Sequence, residues 1–190
     1  SEKPTGSLID WQNTKYDYGR ASLFAHYLVD HYGINILSDS LHSPKVGVDS
    51  LNYALQKNGF KEDFSQIFSD WTIAVSINDC NYGAKYCYLN KSLKDFYLNP
   101  QVNFLPLVGN SSLTMADKTK SWSANWYKII GGGGGTLKFS FEGDQKVSFN
   151  VAYIAKNQSG SYVIKLLMLD KFGKGEFSIQ NFGKDIPSLF

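Results

Sequence analysis

The sequence predicts an α+β chain, with an N-terminal helical bundle subdomain followed by an antiparallel, β-sandwich-like module. Three observations carry this. Apolar residues recur at helical spacing from Asp17 to Ser76, strict alternation takes over between Thr136 and Phe182, and Pro100 and Pro106 stand between the two regimes. The boundary is placed at Asn99–Pro100, giving a helical subdomain over residues 1–99 and a β-rich module over 100–190.

Each element has its own warrant. Asp17 to His31, "DYGRASLFAHYLVDH", sets Leu23, Phe24, Tyr27 and Leu28 on one stripe, and Gly33 supplies the stop. "INILSDSL" predicts a short second helix. "GVDSLNYALQKNG" predicts a third that buries Leu51, Ala54 and Leu55 and ends at Gly59. The fourth is the most regular. In "KEDFSQIFSDWTIAVS", Phe64, Ile67, Phe68, Trp71, Ala74 and Val75 share a face, and Glu62 and Asp63 sit at the end that favours negative charge.

Strands follow. "TLKFSFEG" alternates Leu137, Phe139 and Phe141 with polar residues, and "KVSFNVAYI" does so with Val147, Phe149, Val151 and Tyr153. "SYVIKLLMLD" and "GEFSIQNF" predict two more, with turns at "NQSGS" and "KFGKG". Gly131–Gly135 between "WYKII" and "TLKFSF" reads as a mobile hairpin tip, with an inserted linker as the alternative. It is not a phosphate loop, because it opens a strand and lacks the closing Lys-Ser/Thr pair.

Composition removes several function classes. A net charge of +2 over 190 residues gives no field for nucleic acid or an acidic membrane, and no apolar run approaches the roughly 18 residues of a membrane span. The apolar fraction of 43% against 19% charged is that of a folded globular chain. The opening "SEKPTGSLID" carries no signal-peptide pattern and the closing "IPSLF" reads as an interrupted strand. The chain is therefore expected to be a mature or excised part of something longer.

Cys80 and Cys87, the only cysteines, flank six residues with a central Gly83. That spacing fits a small disulfide loop and an oxidising compartment, so the expected location is secreted or cell-surface. Two free thiols are the alternative. A zinc pair fits less well, since zinc sites favour shorter spacing and further nearby ligands.

Chemistry is sparse. His26 and His31 are five apart and diverge by roughly 140° around a helix, so they cannot share one ion as an HExxH pair does. His42 lies beyond Gly33 in an expected loop. No G-x-S-x-G elbow is present, and Asp63, Asp70 and Asp79 read as solvated helix or loop acids. No catalytic residue and no metal ligand is assigned. Trp122, Trp126 and Tyr127 in "KSWSANWYK" form a candidate binding patch for sugar rings or a peptide, against the alternative of sheet packing. Sequons occur at Asn90, Asn110 and Asn157.

"YDYGRASLFAHYLVDHYG", "VDSLNYALQKNGF" and "FSQIFSDWTIAVSIND", in that order, resemble the C-terminal helical region of secreted bacterial gluzincins, zinc metallopeptidases of the thermolysin clan and the hyicolysin-like group. "SANWYKIIGGGGGTLKFSF" resembles the β module that often follows. The resemblance implies helices that lie after the metal site and beneath the cleft. The family's HExxH helix and third-ligand Glu are absent, so no catalytic or zinc residue carries over to this chain. It implies a non-catalytic portion, inactive alone, that completes a substrate cleft, with the N-terminal catalytic part of the same protein as partner. Zinc and a peptide or protein substrate belong to the parent. The alternative is an extracellular binding or adhesion module that recognises glycan or peptide through the β-domain aromatics.

Overall fold

The structure is a computed structural model describing residues 6–190. It shows an α+β chain with four α-helices and two sheets. Two compact units divide it. The first runs to Asn99 and takes in Lys118–Asn125, and the second comprises Pro100–Asp117 and Trp126–Phe190. Residues 118–125, read as part of the β module, therefore belong to the helical unit.

Helix α1 (Lys15–Tyr32) starts where the Asp17 carboxylate accepts from the Thr14 N–H at 2.8 Å and from the Thr14 hydroxyl at 2.8 Å. It buries Phe24, Tyr27 and Leu28 of the predicted stripe and Tyr32 one turn on, leaves Leu23 half-buried, and stops at Gly33 with φ 80°. Helix α2 (Asn35–Leu41) is tied to α3 (Val48–Lys57) by a 2.7 Å hydroxyl pair, Ser40 with Ser50. Helix α4 (Phe64–Ile77) is capped by Asp63, which accepts from the Gln66 N–H at 2.9 Å, and ends on left-handed Asn78. Phe24 of α1 sets edge to face against Phe64 and Trp71 of α4, at 5.5 and 5.3 Å between centroids. Such pairs add about 0.5–1.5 kcal/mol beyond the area they bury.

In the second unit, β1 (Gln101–Leu105), β2 (Tyr127–Gly131), β4 (Val151–Lys156), β5 (Tyr162–Leu167) and β7 (Ser188–Leu189) form a sheet in the order β1-β2-β7-β4-β5. Strands β3 (Leu137–Glu142) and β6 (Lys174–Ile179) form a separate antiparallel pair. Tyr153 stacks on Phe177 at 3.9 Å, and Phe177 on Phe139 at 4.9 Å, so aromatic rings join the two sheets over a core of Ile129, Ala155, Phe182 and Leu189.

Three strand expectations need correction. The large sheet is mixed, because β1 and β2 run parallel. A parallel pair needs a long crossover, and here that crossover is the segment that carries residues 118–125 into the helical unit. The strand predicted over "KVSFNVAYI" begins only at Val151. Asp144 closes a turn, accepting from the Lys146 N–H at 2.9 Å, and Phe149 folds back on Phe141 at 5.5 Å.

The glycine run is not a hairpin tip either. Strand β2 pairs with β1 and β7, whereas β3 pairs with β6, so Gly131–Gly135 carries the chain from one sheet to the other. The corner is tightly enclosed. A Cβ at Gly131 would stand 2.3 Å from the Leu105 carbonyl oxygen and one at Gly133 2.1 Å from that of Leu107. Gly131 and Gly132 also have φ of 88° and 82°.

Candidate functional site

The most perturbed ionisable groups of the helical unit gather beside the cysteine loop. Asn78, at the end of α4, organises that region. Its Nδ2 donates to the carbonyls of Leu93 and Phe96, and its Oδ1 accepts from the Tyr88 N–H. The Cys80–Cys87 disulfide is formed, with half-cystine 80 exposed and 87 buried. Inside the loop, the Lys85 carbonyl accepts from the Tyr27 hydroxyl at 2.8 Å, and the Cys87 carbonyl stands 2.8 Å from His31 Nε2. The loop is thus stapled to itself and bonded to α1.

Those bonds aim the Lys85 side chain at two acids. Its Nζ lies 2.7 Å from Glu62 Oε1 and 3.6 Å from Asp70 Oδ2. The first is a charge-assisted hydrogen bond; the second is an ion pair too long to be one. Asp70 Oδ2 and the Tyr32 hydroxyl are both buried and have no hydrogen-bond partner among the described residues. Burial raises the Asp70 carboxyl above the usual carboxylate range, although Lys85 pulls the other way. Burial also pushes Tyr32 up to about 12. Glu62 moves oppositely, lowered chiefly by the Lys85 hydrogen bond. The cluster is therefore asymmetric. Lys85 satisfies Glu62 and leaves Asp70 desolvated and half-compensated.

The sequence treats Asp70 as an ordinary solvated acid, and the structure places it in this cluster. The available signal was its position on α4, one residue before buried Trp71. What that position meets depends on a loop closed well downstream, around Lys85, which local periodicity does not encode.

The residues of the expected patch fall in two different units. Trp122 belongs to the helical unit, where it meets Phe64 at 4.5 Å and Phe68 at 5.6 Å, whereas Trp126 and Tyr127 belong to the β unit. The Tyr127 hydroxyl donates to Asp117, and burial together with that acid raises Tyr127 to about 12. An exposed aromatic pair that the sequence did not single out lies elsewhere. Trp11 and Tyr18 stand 4.7 Å apart, with 49% and 59% of their surfaces exposed.

The histidines are dispersed. His26 Nδ1 meets Asn90 Nδ2 at 3.2 Å, His31 meets the Cys87 carbonyl, and His42 Nδ1 meets the Ser38 carbonyl at 2.8 Å. Among the described residues, no group of three or more His, Cys, Asp or Glu is placed to hold a metal ion. No described helix is long and apolar enough to cross a membrane. Comparison with protein-family models, with curated proteins and with solved structures gives no match.

Proposed function

We propose that this chain is the non-catalytic, post-active-site portion of a secreted gluzincin-like zinc metallopeptidase, inactive alone, that completes the floor of a substrate cleft. One observation supports the reading. The three segments that carry the resemblance are α1, α3 and α4, and Phe24, Tyr27, Leu55, Ile67 and Trp71 within them are all buried in the helical unit. The disulfide fits an oxidising compartment. The zinc ligands and the general base belong to the N-terminal part of the parent, and this chain supplies shape and support.

The test is intact mass and metal content of the natural species, taken before any trimming. The expected result is a longer precursor or companion chain with an HExxH helix, about one zinc per complex and peptidase activity. A metal-free natural product consisting of this chain alone would overturn the reading.

A second reading, a non-catalytic extracellular binding module, is favoured by edge strand β1. Gln101 donates to the Trp126 carbonyl and Leu105 accepts from Gly132, so Val102 and Phe104 turn their backbone groups to the open edge. Their side chains are exposed, as are Leu107 and Val108, and no charge occurs from Gln101 to Ala116. Natural edges are usually guarded by charge, and the opposite edge, β5, carries Lys165. An unguarded edge suits strand addition by an extended apolar segment. Peptide arrays read with wild type and with Phe104→Lys test this: binding that the substitution leaves unchanged rejects it.

A further inference from the structure

We infer that Trp11 and Tyr18 form a pre-organised carbohydrate-binding platform on the helical unit. The observation is how firmly an exposed segment is held. Ser7, 5% exposed, accepts from the N–H groups of Ile9 and Asp10 at 3.2 and 3.1 Å and donates to the Ser121 carbonyl at 2.7 Å. Asp17, 4% exposed, accepts from the N–H groups of Gln12 and Thr14 at 3.2 and 2.8 Å. Two buried polar side chains therefore fix residues 7–14. Asn13 sits at φ 56°, the left-handed region that Asn tolerates better than most side-chain-bearing residues. The segment so fixed nevertheless leaves the indole of Trp11 in solvent.

The ring pair is braced by contacts and its rim is polar. Trp11 and Tyr18 meet edge to face, with an interplanar angle of 79°, and the Tyr18 hydroxyl donates to Asn13 Oδ1 at 3.1 Å. Gln12 Nε2 donates to Asp10 Oδ1 at 2.7 Å, and Asp10 holds Lys120 at 2.5 Å. The Asp10 carboxyl is lowered chiefly by that Lys120 hydrogen bond, so it stays ionised as an acceptor. Gln12 Oε1 and Asn13 Nδ2 bond to no partner among the described residues. A half-exposed indole, propped by the edge of a tyrosine ring and lying beside side-chain amides, a carboxylate and an ammonium, matches a pyranose. One sugar face is C–H and stacks, while its edge is hydroxyl and needs both donors and acceptors. An apolar peptide would leave that polar rim desolvated and unpaired. Half-exposed Ile9 is the feature such a peptide would use instead.

The test follows the four Trp indole N–H signals of the full chain by NMR, with Trp11 assigned through Trp11→Phe. The probes are cellohexaose, chitohexaose, xylohexaose and a proline-rich decapeptide. Expected is a shift of the Trp11 signal by at least one hexasaccharide, with Kd of about 0.1–1 mM, the range of a shallow exposed site. Trp11→Ala and Tyr18→Ala, both surface changes, should weaken binding at least about tenfold. Trp11→Phe, which keeps a stacking face, should weaken it less. Three results each overturn the platform: no hexasaccharide response, a response only to the peptide, or undiminished sugar binding by Trp11→Ala. Iodide quenching of Trp11 in the longest natural species is a separate check. Quenching as efficient as in this chain supports the site, and protection by a packed upstream segment overturns it while leaving the peptidase reading intact.

Discussion

Lys85 reaches across 23 positions of sequence to place its Nζ 2.7 Å from Glu62 Oε1. The contact joins a disulfide-closed loop to the approach of α4, and it leaves Asp70, 3.6 Å away, as the weaker partner of the same cation. The loop, the staple and the two acids thus share one set of contacts.

Removing the cation should expose that linkage. Lys85→Ala leaves Asp70 half-buried without its counter-charge and takes the hydrogen bond from Glu62. A fully buried pair broken this way costs roughly 3–5 kcal/mol; because Lys85 is 38% exposed, about 1–2 kcal/mol is expected here. Urea unfolding of wild type and variant at neutral pH checks it, and a loss below about 0.3 kcal/mol would show the pair to be solvent-screened.

The two acids should respond to pH with opposite signs. The Asp70 carboxyl is raised in the folded chain, so its ionisation opposes folding, and that opposition disappears as pH falls below the ordinary carboxylate value. Asp70→Asn should therefore be as stable as wild type or more so at pH 7, and lose its advantage in acid. Glu62 is lowered, so it contributes above its unfolded value and loses that contribution as pH falls. Glu62→Gln should cost about 0.5–1 kcal/mol at pH 7 and nothing near pH 3. Thermal unfolding at both pH values separates them, and parallel behaviour would mean the asymmetry is absent.

The disulfide prediction rests on coupling as well as chain entropy. Closing so short a loop contributes about 2–3 kcal/mol in the chain-entropy account. Replacing both cysteines by Ala should cost that amount. It should also shrink the Lys85→Ala penalty, since a released loop no longer holds Lys85 against the acids. A double-mutant cycle reads the coupling directly, and simple additivity would show that the bonds of Tyr27 and His31 to the loop suffice without the staple.

Much of the helical unit was legible because burial there follows local period. Phe24, Tyr27, Leu28, Ala54, Leu55, Ile67, Trp71 and Ala74 are all buried as their spacing requires. Strands β3 and β6 were legible for the same reason, whereas β1 was not. Its apolar Val102 and Phe104 face solvent and its partner lies beyond a long crossover, so alternation signals the wrong face. Asp70 and the Trp11–Tyr18 pair were missed because their surroundings come from distant segments, around Lys85 in one case and Ser121 in the other. Nothing in "KSWSANWYK" marks the point at which residues 118–125, Trp122 among them, leave the β unit.

The glycine corner offers the sharpest contrast within a few neighbouring positions. At Gly131 a Cβ would meet the Leu105 carbonyl oxygen at 2.3 Å in a left-handed conformation, and the atom struck is backbone of the paired strand. Relief would have to separate β1 from β2 at the end of their ladder. Gly131→Ala should therefore destabilise the β unit by about 2–4 kcal/mol, combining steric clash and backbone strain. At Gly135 nothing lies within 4 Å and φ is ordinary, so Gly135→Ala should fall within about 0.5 kcal/mol of wild type or stabilise slightly by restricting the unfolded chain. Hydrogen exchange at the amides of Ile129 and Ala155 reports on the β unit without interference from the helices. Faster exchange in Gly131→Ala alone is expected. Equal tolerance of both substitutions would mean that the run is a flexible connection after all, and that the register of β1 against β2 is set elsewhere.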